Sequence, residues 1–217
     1  MTNPWHIWQL VDSAFPTGGF AHSGGLEAAL QHGLIADADA LREYIQTCLV
    51  QSRRGLLYFV LQAHQLADAF ADVDRRCDLF LNNHVANRAS RAQGRALLAS
   101  AGKTFEQAPI LELMAQVREQ KSPGHLAPSF GRVAQYLCIS AAETADMYQF
   151  MTARGILSAA VRLGAIGPIQ AQQMQTAIAL EQRLTGPTSD QTPVQTAPLL
   201  DLIQATHERL YSKLFQS

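Results

Sequence analysis

Apolar positions recur at three- and four-residue spacing almost from end to end of this chain. No stretch alternates apolar with polar residues as a half-buried strand does, so the pattern predicts an all-α fold. A first short helix is expected over Trp5 to Ala14, with Pro4 near its start. A second is expected over Ser23 to Gln31, with Ser23 as N-cap and Gly33 as the stop. From Asp37 onward Leu41, Tyr44, Ile45, Cys48, Leu49, Leu56, Val60 and Leu61 keep helical register. Gly55 lies inside that run, as a close crossing or a simple propensity cost. Further helices are predicted over Val73 to Ser100, Pro109 to Glu119 and Ser129 to Leu137, with Ser122-Pro123-Gly124 as a loop. Ser140-Ala141-Ala142-Glu143 has capping-box form, in which hydroxyl and carboxylate each bond an orphan backbone N–H; it opens a helix running to Leu163 and ending at Gly164. Gly167-Pro168 restarts the pattern through Ile169, Met174, Ile178 and Leu184.

The expectation is a single-domain bundle of about nine or ten helices. Residues 1–184 form the helical domain and residues 185–198, rich in Thr, Pro, Gly, Ser and Gln, read as a mobile linker. Residues 199–217 read as a C-terminal amphipathic docking helix or tail of the same domain, with Leu199, Leu202, Ile203, Leu210 and Leu214 on one side.

Composition narrows the function classes. At 217 residues one continuous core is feasible without disulfides. The charged share is 16%, below the usual quarter, which fits either a surface covered by partners or an amide-rich one. The net charge is -1 and no block of like charges occurs, so there is no footprint for nucleic acid or an anionic membrane. Cys48, Cys77 and Cys138 form no C-x-x-C pair and read as buried thiols in a reducing compartment. There is neither a basic leader with an apolar core nor an apolar span, so the cytoplasm is the expected compartment. No two of the seven histidines have the i, i+4 spacing of a helical metal site, and no tight metal site within one chain is expected. A weak site shared across a two-fold axis stays open, because symmetry duplicates any exposed His.

The most informative stretch runs from Asp12 to Glu27, D-S-A-F-P-T-G-G-F-A-H-S-G-G-L-E. It lacks the Lys and following Ser or Thr that a phosphate loop needs, and a helix rather than a strand precedes it. His22 and Ser23 are adjacent, but adjacency is not the geometry of a nucleophile and its base. Phe20 in this polar loop reads as an exposed anchor or a plug folded onto its own domain. Glu27 suits the positive end of the second helix. Arg88, Arg91 and Arg95 make a basic stripe, solvated or facing an acidic partner, and Arg154 and Arg162 are placed to bridge to Glu143 or Asp146. Tyr211 and Phe215, four apart, would share a helix face with Leu214 beside them.

The run from Leu10 to Glu27, with its Pro-x-Gly-Gly-aromatic turn and Ser-x-Gly-Leu-Glu close, resembles the opening signature of the UreF family of urease accessory proteins. The likeness continues in Ser90-Arg91-Ala92-Gln93-Gly94-Arg95, in Ser158 to Gly164 with Ile166-Gly167-Pro168, and in His207 to Ser217. The resemblance implies an all-α homodimer without enzymatic activity. Such a protein binds UreD (also called UreH) and recruits the GTPase UreG to apo-urease for nickel insertion, with a possible gate on GTP hydrolysis. It implies no cofactor, since nickel passes through the complex. It places the GTPase-facing turn at Gly18, Gly19, Phe20, His22, Ser23 and Glu27, with Phe20 where tyrosine is common. It places the assembly tail at His207, Glu208, Tyr211, Lys213, Leu214 and Phe215. Lys213 stands where arginine is common and cannot reproduce a bidentate fork. Two rival readings are a small helical hydrolase using Ser23 and His22, and a metallochaperone that itself carries nickel.

Overall fold

The protein is seen here as a computed structural model that describes residues 3–182 and 192–217. Local capping chemistry sets most helix ends. α1 (Pro4–Val11) starts where the Asn3 side chain accepts the Trp5 N–H, with Pro at the first helical position. It stops short of Ala14 because Asp12 leaves the helix and its carboxylate accepts the Ala14 N–H at 2.9 Å. α2 spans Leu26–Gln31. α3 (Ala38–Arg54) is capped by Asp37, which accepts the Ala40 N–H at 2.9 Å, and carries Arg53 and Arg54 at its negative end. α4 follows at once (Leu56–Gln65).

The run from Asp37 to Leu61, continuous by periodicity, is therefore two helices joined at Gly55. A Cβ on Gly55 would lie 2.8 Å from Phe80 Cζ, so the ring occupies the space any other residue would need. The run from Val73 to Ser100 is also two helices, α5 (Phe70–Phe80) and α6 (His84–Phe105). Asn83 divides them: its Oδ1 accepts the N–H groups of Val85 at 2.9 Å and Ala86 at 3.3 Å, the work of an N-cap. α7 (Ala108–Arg118) and α8 (Leu126–Tyr136) follow. α9 (Ala141–Arg162) opens with the expected capping box: Ser140 Oγ accepts the Glu143 N–H at 3.2 Å and Glu143 accepts the Ser140 N–H at 3.0 Å. α10 spans Pro168–Gln182. Leu184 and most of the expected linker, residues 185–191, lie outside the described residues. Residues 192–197 are irregular and held at two points. The Val194 N–H donates to Arg54 O and Gln195 Nε2 donates to Phe80 O, both at 2.9 Å.

α11 (Pro198–Ala205) is the largest departure from the sequence reading. The expected helix to Phe215 ends at Ala205, passes through a 3-10 turn at Thr206–Arg209, and continues as irregular chain. The backbone donors of Leu214 and Phe215 are taken by the Glu27 carboxylate instead of by carbonyls four residues back.

The eleven α-helices among the described residues pack around two apolar clusters. The first joins α4 to α8 through residues such as Phe59, Leu97, Ile110, Phe130 and Val133. The second joins α2, α3, α9, α10 and α11 through Leu26, Ile45, Leu49, Ala160, Ile178 and Ile203. α9 serves both, giving Met147 and Tyr148 to the first and Ile156 and Leu157 to the second. α4 and α8 touch backbone to backbone, because any Cβ on Gly131 would collide with Val60 O.

One polar knot lies inside. Asp74, fully buried, accepts from the Ser122 hydroxyl, from the Gly124 N–H at 2.6 Å and from the His125 N–H at 2.9 Å. The buried His125 ring spans Ser90 Oγ at 3.1 Å and Asp78 Oδ1 at 2.9 Å. The cysteines depart from the uniform burial expected: Cys77 is buried and Cys48 half-buried, but Cys138 is exposed. Cys138 sits at a left-handed turn (φ 58°) just past α8, where the chain swings outward before α9. No helix among the described residues is long and apolar enough to cross a membrane.

Candidate partner-binding site

The Gly-rich stretch folds as a turn that lifts one aromatic ring into solvent. Phe15 is buried and stacks on Phe105 with centroids 6.1 Å apart, which anchors the start of the turn. Gly18 takes φ 72°, and the chain then makes the 3-10 turn Gly19–Ala21. Phe20 at its tip is 73% exposed, so of the two readings of this ring the exposed one holds. Gly24 and Gly25, both left-handed, turn the chain into α2, with Gly25 at the N-cap position. Ser23 is therefore not the N-cap. Its hydroxyl accepts the Glu27 N–H at 3.4 Å and donates to Ser217 O at 3.0 Å.

The two regions singled out by sequence, nearly the length of the chain apart, meet here. The Ser23 N–H donates to Ser217 O at 2.6 Å, and the Gln216 N–H donates to Ala21 O at 2.8 Å. His22 Nδ1 lies 2.6 Å from Ser217 Oγ. Glu27, only 2% exposed, is more than a helix-dipole partner. It accepts the N–H groups of Leu214 at 2.6 Å and Phe215 at 3.1 Å, and pairs with His207 Nε2 at 3.0 Å. Three bonds to one buried carboxylate make it the clasp of the closing segment, residues 210–217.

Arg162 joins the two parts from below. Its guanidinium donates to Phe20 O and lies 4.4 Å from the centroid of the buried Phe215 ring. Arg154 donates to Val11 O in the same manner. Backbone carbonyls thus take the place of the expected bridges to Glu143 or Asp146, because both arginines point toward α1 and the turn. The basic stripe on α6 stays at the surface, and two of its members find partners within the chain. Arg88 pairs with Glu208 at 2.7 Å, beside His84 at 3.1 Å, and Arg95 Nε donates to Pro123 O at 3.3 Å. Lys213 Nζ donates to Glu208 O at 2.8 Å. The expected edge of Tyr211, Leu214 and Phe215 is divided, since these residues are not on a helix. Phe215 is 4% exposed and inside, while Tyr211 and Leu214 face solvent.

Electrostatics follow the burial. Burial lowers the pKa of His22, and its electrostatic interactions with the neighbouring His207 and Arg88 push it the same way. Hydrogen bonds from Arg88, then from His84, hold the exposed Glu208 carboxyl below its usual range. Ser23 and His22 do not bond each other; both are committed to Ser217, so the pair has no nucleophile–base contact. Among the described residues no group of three His, Cys, Asp or Glu side chains could hold a metal ion. Sequence reasoning gave Arg162 other partners, put Arg88 on an exposed stripe without naming Glu208, and gave Ser217 no role. The signal that could have found them was the coexistence of two family motifs with no partner of their own, not any spacing.

Comparison with known proteins decides what this arrangement belongs to. The UreF family model matches residues 35–179. The chain belongs to the UreF family. It is 36% identical to the "Urease accessory protein F" of Oryza sativa subsp. indica, over 97% of this chain and 84% of the relative. It is 38% identical to that of Arabidopsis thaliana, over 98% and 92%. A bacterial "Urease accessory protein UreF" from Paenarthrobacter aurescens is 28% identical over 97% and 96%. The family model covers the helices between the Gly-rich turn and the closing segment, and the relatives match nearly the whole chain.

Proposed function

We propose that this UreF-family chain is a non-catalytic, cytoplasmic adaptor for nickel insertion into urease. It joins UreD/UreH and the GTPase UreG on apo-urease and works as a homodimer, with no cofactor of its own. The observation that carries this reading is Phe20: a large aromatic, 73% exposed, on a turn whose backbone is fastened on both sides. Exposed rigid aromatics are the usual anchors of protein interfaces, because they bury much area with little loss of conformational freedom. Tyr211 and Leu214, also exposed, extend the apolar surface along the clasped segment. The adaptor's contribution is geometric. It shifts the GTPase between states only so far as it binds one state better than another.

The test is reconstitution. The purified chain, mixed with UreD/UreH and UreG, should form a stable complex by size exclusion. The complex should activate apo-urease in the presence of nickel and GTP. A chain that stays alone in the mixture, or that activates urease without UreG, would remove the adaptor reading. Equilibrium dialysis against nickel should show no tight stoichiometric binding to the isolated chain; finding it would favour a nickel carrier.

A further inference from the structure

A cavity of about 300 Å³ lies between α3, α9 and α11, against the Gly-rich turn. At roughly 30 Å³ per molecule it has room for about ten waters, far more than one bridging water needs. Its walls include Leu56, Phe80, Met151 and Ile156, and its polar groups include Gln51 and Asp201. Gln51 Nε2 donates to Asp201 Oδ1 at 3.3 Å, which fixes the amide orientation. The other amide atom, Gln51 Oε1, is buried and has no donor. Among the described residues no Lys, Arg or His pairs with the half-buried Asp201 carboxylate.

We propose that this cavity binds a small organic cation carrying N–H donors, an alkylammonium or alkylguanidinium, through Asp201 and Gln51 Oε1. The cationic head supplies the charge that Asp201 lacks and the donor that Gln51 lacks. The alkyl part lies against the apolar wall, so the ligand has the same polarity gradient as the site. Burial pushes the Asp201 carboxyl up, against the Gln51 hydrogen bond; a bound cation would bring it down again. A metal ion fits less well. The neighbouring Cys48 thiol is pushed up to about 12 by burial and stays protonated, which leaves one carboxylate as the anionic donor. Such a cation could be a free small molecule or a Lys side chain of a partner; the chemistry is the same.

The inference is independent of the adaptor reading, because the isolated full chain is the sample. Calorimetric titration with n-butylammonium chloride, at ionic strength matched with NaCl, should show saturable binding. The neutral analogue 1-butanol should bind at least roughly tenfold more weakly, the difference a charged hydrogen bond makes. Asp201→Asn and Gln51→Met should each weaken butylammonium binding by a similar factor, with helicity and melting temperature checked alongside. Should Asp201→Asn fail to fold, the comparison of butylammonium with 1-butanol in the unmodified chain still decides. Tighter binding of a lysine-centred pentapeptide than of butylammonium, lost in the same variants, would assign the cation to a partner side chain. No saturable binding, equal binding of 1-butanol, or undiminished binding in both variants would overturn the proposal.

Discussion

Asp74 and Glu27 are both buried carboxylates, and each gathers two backbone N–H groups and one side chain. Their settings differ. Asp74 binds a loop that leads directly into α8, so its bonds complete the first apolar cluster from within. Glu27 holds a segment from the far end of the sequence against a surface turn, with Phe215 as the main apolar contact beneath it. One device thus closes a core and the other fastens an edge. The comparison teaches that a buried carboxylate's energetic weight is set by what moves when it is lost. Around Asp74 the whole α5–α8 junction moves. Around Glu27 the expectation is that a single segment lifts while the bundle stays folded.

The largest effect that tests this contrast is Asp74→Ala. It leaves the donors of Ser122, Gly124 and His125 buried without an acceptor, and should cost about 3–5 kcal/mol of stability in chemical denaturation. Glu27→Ala should cost less globally, about 2–3 kcal/mol. Its signature should be local: fast amide exchange at Leu214 and Phe215 and early proteolysis in residues 210–217, with the helices retained. If Glu27→Ala unfolds the chain as cooperatively as Asp74→Ala, the edge is part of the core and the contrast fails.

A milder perturbation is acid. His22 beside the clasp and His125 in the knot both titrate below the ordinary 6.5 in the folded chain, chiefly because each is buried. The unfolded chain therefore takes up protons first, so stability is fully present above about pH 6.5 and falls as pH drops through the lowered folded values. Denaturation at pH 7.5 and at pH 5.5 should show this loss, and His22→Asn should lose less than the unmodified chain. A stability that rises on acidification in this range would reverse the sign and refute the assignment. The smallest effect belongs to Arg88→Ala. Its pair with Glu208 is exposed, so melting should be unchanged within error.

The sequence carried the all-α class and the capping box at Ser140, because these depend on local periodicity and composition, but left Phe20 open between an exposed anchor and a buried plug. It missed the breaks at Gly55 and Asn83, where an apolar register continues across a junction set by the Phe80 ring and by an N-cap. It also read Leu199 to Phe215 as one helix. The amphipathic spacing there is real, but the backbone donors at its end are claimed by Glu27, at a sequence separation of 187 residues for Leu214. No local signal records a bond over that distance. The same holds for Arg162, whose targets are a carbonyl and a ring from opposite ends of the chain.

The account's central claim is that the clasped turn exists to present Phe20 to a partner. Capture of UreG by the complex with UreD/UreH should be compared between the unmodified chain and Phe20→Ala, with melting temperatures measured on the same samples. The expected result is a loss of about 2 kcal/mol in binding, a factor of roughly thirty, with melting unchanged. Undiminished capture, or a large fall in melting temperature, would contradict it.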